Sequence, residues 1–67
     1  MGNQIGIKML ATPVTHKKTG NRYYMLKQDI IECTNGREEK KYVLYYRDGE
    51  FFTREQEEFW NKFELVI

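Results

Sequence analysis

A nucleophilic site needs a base beside an activated nucleophile, and the chain offers one histidine, His16, and one thiol, Cys33. His16 opens a basic turn, Lys17-Lys18-Thr19-Gly20-Asn21, and Cys33 abuts an Asn35-Gly36 reversal. Each therefore has a local structural use: the imidazole packs or caps the turn, and the thiol is a small apolar group for hairpin packing. Adjacent carboxylates at Glu38-Glu39 and Glu57-Glu58 are the pairs from which acid-base chemistry or a hard-cation site could be built. Neighbours on a strand point to opposite faces and acids at a helix start serve the dipole, so both pairs read as solvated. No GxxxxGK or GxGxxG phosphate loop occurs. One cysteine allows neither an internal disulfide nor the Cys/His spacing of a structural zinc. These residues predict a protein that is not an enzyme and carries no cofactor or metal.

Binding chemistry is better supplied. Nucleic-acid recognition wants cations interleaved with exposed rings on one sheet face, and Lys17, Lys18, Arg22, Lys40, Lys41, Arg47 and Arg54 with Tyr24, Tyr45 and Tyr46 could form such a face. The competing use is that the tyrosines pack the core while their hydroxyls reach water. Protein recognition asks for a groove, a few aromatics and a free strand edge. Trp60 beside Glu55, Glu57 and Glu58 could present a docking patch to a basic partner, or those acids could cap a helix. The candidate binding residues are thus His16, Lys17, Lys18 and Arg22 around the turn, Tyr24, Tyr45, Arg47 and Arg54 on strands, and Trp60.

The elements that must hold these residues are legible in the pattern. Ile5, Ile7 and Met9 at period two mark a short edge strand or tail over residues 1–12, loosened by Gly2 and Gly6. Pro13 sets up an extended Val14-Thr15-His16 before the basic turn. Arg22 to Cys33 reads as a long strand with a bend or bulge at the polar Lys27-Gln28-Asp29. Thr34-Asn35-Gly36-Arg37 fits a type I′ hairpin, and Tyr42 to Tyr46 is too apolar for a one-sided strand, which predicts a central one. Asp48-Gly49 is a second tight turn, returning the strand Glu50-Phe51-Phe52-Thr53. Thr53 stands three residues before Gln56, the spacing of a capping box, and predicts one or two helical turns with Phe59 and Phe63 on one face. Leu65-Val66-Ile67 is the expected last strand.

This order predicts a mainly β fold, a small SH3-like antiparallel barrel over residues 13–67 with one short C-terminal helical turn, its last strand pairing with the first. Sixty-seven residues allow one core. With 40% apolar and 15% aromatic residues, rings must supply much of its burial. The net charge of +1 conceals a gradient. Residues 1–31 hold Lys8, Lys17, Lys18, Arg22 and Lys27 against Asp29, while residues 48–67 hold six acids against Arg54 and Lys62. That polarity either creates one basic face or folds back and cancels. No apolar run is long enough for a membrane span and none follows a charged start, and Gly6 stands where a myristoylation signal wants Ser or Thr. A soluble, cytoplasmic protein without membrane contact is the expectation.

The segments His16-Lys17-Lys18-Thr19-Gly20 with Tyr23-Tyr24-Met25-Leu26, Val43-Leu44-Tyr45-Tyr46-Arg47, and Phe52-Thr53-Arg54 with Phe59 and Lys62-Phe63-Glu64 follow one another over residues 14–64. In this order the chain resembles a family of short, functionally uncharacterised bacterial and phage proteins, departing from it where Glu55 replaces the proline that usually follows the arginine. The resemblance implies a small barrel-like domain, often phage-encoded, and no reaction. The function expected is a non-enzymatic binding module docking on another protein, a host factor if the chain is phage-encoded. Nucleic-acid binding is one alternative. The other is a small-molecule or nucleotide site at a homodimer seam. Monomer and homodimer both stay open.

Overall fold

A computed structural model of the chain describes residues 11–31 and 40–66. The described residues form five strands and one helix: β1 (Thr12–His16), β2 (Arg22–Ile31), β3 (Lys41–Arg47), β4 (Glu50–Glu55), α1 (Gln56–Lys62) and β5 (Phe63–Leu65). The fold is mainly β. All strands belong to one antiparallel sheet in the order β4-β3-β2-β1-β5. Among the described residues this sheet is open, with β4 and β5 at its edges, rather than a closed cylinder. The expected strand around Ile5, Ile7 and Met9, the Asn35-Gly36 hairpin, Cys33, and the pair Glu38-Glu39 lie outside the described residues.

The turns follow from backbone chemistry. Asp48 and Gly49 both take positive φ, 51° and 85°, the type I′ requirement that favours Asp or Asn before Gly. Gly20, at φ 79°, closes the β1–β2 reversal, where its N–H donates to the His16 carbonyl at 2.7 Å. The bulge expected at Lys27-Gln28-Asp29 is present: the β2–β3 register shifts between Met25 and Lys27 and again between Lys27 and Ile30, and Asp29 sits at φ 61°. Pro13 lies inside β1, paired with Tyr24. Its carbonyl accepts from the Val66 N–H at 3.2 Å, and its missing donor faces the place where β5 runs out after Leu65.

The helix begins later than the capping-box spacing predicts. Thr53 belongs to β4, opposite Leu44, and Glu55 takes the N-cap position at φ −59°, ψ 136° with no side-chain capping bond. Glu57 and Glu58 fall in the first turn and Lys62 in the last, the arrangement the helix dipole favours. Phe63 leaves the helix directly into β5 at φ −124°, ψ 157°, so the last strand starts at Phe63, ahead of the expected Leu65, and runs Phe63–Leu65; Ile67, expected in it, lies outside the described residues. As expected of a final strand, β5 pairs with β1, His16 lying opposite Phe63 and Val14 opposite Leu65.

The core is Val14, Val43, Tyr45, Phe59 and Phe63, with Tyr23, Met25, Phe52 and Trp60 packed against it. Phe59 and Phe63 stack at 4.4 Å with rings 9° apart, while Tyr45 meets Phe59 and Phe63 edge-on at 5.1 and 5.2 Å. Such pairs contribute about 0.5–1.5 kcal/mol each beyond their buried area, which is how a chain with few aliphatics holds its fold.

Candidate interaction surfaces

The candidate residues are brought to three separate places. At one end of the sheet lie the β1–β2 turn, the start of β2 and the junction of α1 with β5, tied by the Lys17 N–H donating to the Lys62 carbonyl at 2.8 Å. Lys17, Lys18 and Arg22 are exposed here, and so is Lys62. None of these four has an ion-pair partner among the described residues. The turn is braced from within: Thr19 donates its N–H to His16 Nδ1 at 3.4 Å, and the Asn21 N–H donates to Thr19 Oγ1 at 3.2 Å. The His16 ring packs edge-on against Phe63 at 5.0 Å, so it serves the packing of the turn.

Several candidates from the strands face inward or are engaged. Tyr45 is 5% exposed and belongs to the core, so its ring is not presented to a ligand. Arg47 stands 5.4 Å over the Tyr23 ring and 3.7 Å from Asp48. Arg54 donates to Glu58 at 3.2 Å. Tyr45 beside the Arg54 guanidinium raises its pKa, burial opposes, Glu58 adds to the rise, and the net effect holds it more firmly cationic. Lys41 pairs with Asp29 at 3.7 Å. Trp60 meets Phe59 edge-on at 5.0 Å and lines an open groove of about 590 Å³ with Lys40, Lys41, Glu55, Gln56, Glu57 and Asn61. Lys40 and Lys41 set one side of that groove at the end of the sheet opposite Lys17 and Lys18, while Asn61 on the other side adjoins Lys62.

Tyr24 leads to a surface that the sequence pattern did not isolate. Pro13 lies opposite Tyr24, Tyr24 opposite Tyr46, and Tyr46 opposite Phe51, with Val66 hydrogen-bonded beside Pro13. Their chain neighbours Val14, Tyr23, Tyr45 and Phe52 all belong to or pack on the core, so the pleat turns this row to the opposite face. The row is apolar and crosses the whole sheet. Tyr46 is buried to 2% exposure within it, Phe51 is 57% exposed and Val66 36%. Tyr46 meets Phe51 at 5.1 Å. Helix α1 packs on the core face, so no described helix covers the row.

Among the described residues no group of three or more His, Cys, Asp or Glu side chains could hold a metal ion, and no helix is long and apolar enough to cross a membrane. No family model matches the chain, nor does any curated protein or solved structure.

Lys62 at the basic end, and Phe51, Pro13 and Val66 in the apolar row, were not among the binding candidates the sequence offered. Lys62 is remote in sequence from Lys17 and joins it only through β5–β1 pairing. The signal for the row was available in part, because two rings in succession at Tyr45-Tyr46 and Phe51-Phe52 must send one to each face.

Proposed function

We propose that the chain is a non-enzymatic binding module of the SH3-like kind that docks on another protein through the outer face of its sheet. The observation that carries this reading is the apolar row Val66-Pro13-Tyr24-Tyr46-Phe51, which ends in a Phe51 ring more than half exposed. An apolar centre with aromatic anchors is what a protein interface buries. The strand order, with a helical turn between β4 and β5 and β5 returning beside β1, supports the SH3-like description. The likeness to short phage and bacterial proteins supports a host protein as the partner.

The test compares retention of host proteins on the immobilised wild type, on Phe51→Asp and on the surface control Glu57→Gln. A partner retained by the wild type and the control, and weakened at least about tenfold in direct titration by Phe51→Asp, is the expected result. Finding no partner whose binding depends on Phe51 removes the reading.

A further inference from the structure

The described cations differ in how they are used. Lys41, Arg47 and Arg54 are each matched to an acid, Asp29, Asp48 and Glu58. Lys27, within β2, and Lys40, just before β3, are exposed and unmatched but lie apart, whereas Lys17, Lys18, Arg22 and Lys62 are exposed and unmatched and three separate segments deliver them to one end of the sheet. The acidic last half of the chain offsets this end only in part: Asp48 is matched to Arg47, and the four unmatched cations outnumber Glu50 and Glu64. Asp48 and Glu50 of the β3–β4 turn lie at the same end, beside the start of β2, and Glu64 lies opposite Thr15, whose other neighbour is Arg22; among the described residues none of these acids forms an ion pair with Lys17, Lys18, Arg22 or Lys62.

The cluster stands on a braced support. Lys17 is fixed to Lys62 through the backbone, and Thr19 holds the turn to His16 and Asn21. A Cβ added at Gly20 would meet nothing within 4 Å, so the turn is open at that position. Lys17, Lys18, Thr19 and Gly20 are all exposed and none is apolar. A protein interface draws its affinity from a desolvated apolar centre, and this end has none. A ligand bound here gains free energy from counterion release, which is how a phosphodiester chain binds.

We infer that the end formed by Lys17, Lys18, Arg22 and Lys62 is a second binding site, distinct from the outer apolar row, that takes the backbone of single-stranded nucleic acid without reading its sequence. The four cations meet successive phosphates along the rim of the sheet. With four contacts, log K falls against log salt with a slope of about −3, so affinity drops roughly fifty-fold between about 50 and about 200 mM salt.

Fluorescence anisotropy of a labelled thymidine oligonucleotide with the full chain tests this. The expected result is binding at low salt with that slope, abolished in Lys18→Glu/Lys62→Glu and weakened in Lys18→Gln/Lys62→Gln, with far-ultraviolet circular dichroism unchanged. Lys41→Gln, whose lysine is matched to Asp29 at the other end, binds as the wild type does, which confines the site to the end that carries Lys17. Three results overturn the inference: no binding at low salt, binding indifferent to the Lys18/Lys62 changes, or equal competition by polyglutamate of the same charge, which would assign the end to an acidic protein instead.

Discussion

At the scale of single residues, the chain spends its rings on both faces of the sheet, and Tyr46 shows what that entails. Its hydroxyl is buried without a hydrogen-bond partner among the described residues, while its ring lies between Tyr24 and Phe51 in the cross-strand row. An unsatisfied buried hydroxyl is destabilising by about 1–3 kcal/mol. Tyr46→Phe keeps the ring and removes the cost, so it should stabilise by about 1 kcal/mol and raise the melting midpoint by roughly 4–8 °C. A fall in midpoint on thermal denaturation would mean that the hydroxyl has a role in holding the row. The apolar run Tyr42 to Tyr46 predicts a strand in contact on both faces, and β3 lies inside the sheet between β2 and β4 with Tyr45 and Tyr46 both buried. Which tyrosine faces which way was not readable, because it depends on the register with Tyr23 and Phe52. Tyr45, which the sequence leaves open between a binding face and the core, lies in the core.

At the scale of elements, the legible features are those set by local backbone chemistry, and the illegible ones are set by contacts far along the chain. Asp48-Gly49 and the Lys27-Gln28-Asp29 bulge needed only positive φ and a polar interruption to be seen. The helix start was misplaced because its anchor is tertiary. Gln56 accepts the Asp29 N–H at 2.7 Å and donates to Asp29 Oδ1 at 3.0 Å, so the first helical residue grips the bulge of β2 across β3. That pair holds α1 over the core in place of a side-chain cap at Thr53. Gln56→Ala should therefore cost about 1–2 kcal/mol, two hydrogen bonds' worth. Thr53→Val, which would break a capping box, should leave stability within about 0.5 kcal/mol. Urea denaturation of the two variants distinguishes the arrangements, and a larger loss at Thr53 than at Gln56 would restore the capping box.

At the scale of the whole molecule, what makes one body of the described chain is the return of its last strand to its first. β5 is three residues long, yet it places Phe63, 3% exposed, against Phe59, Tyr23, Tyr45 and His16 at ring separations of 4.4, 5.2, 5.2 and 5.0 Å. The same pairing brings Lys62 to Lys17 and Val66 to Pro13, so both proposed surfaces depend on it as well. A domain of this size buries only about 60% of its unfolded surface, and removing a buried phenylalanine side chain costs about 3–5 kcal/mol, most of the stability such a domain can have. A chain ending at Lys62 should thus lose its cooperative thermal transition and the near-ultraviolet dichroism of its packed rings, whereas one ending at Leu65 should keep both. Retention of a cooperative transition by the shorter chain would show that β1 to β4 and α1 hold the core by themselves. In that event the sheet would have a free β1 edge, and the join between Lys17 and Lys62 would be an accessory to the fold.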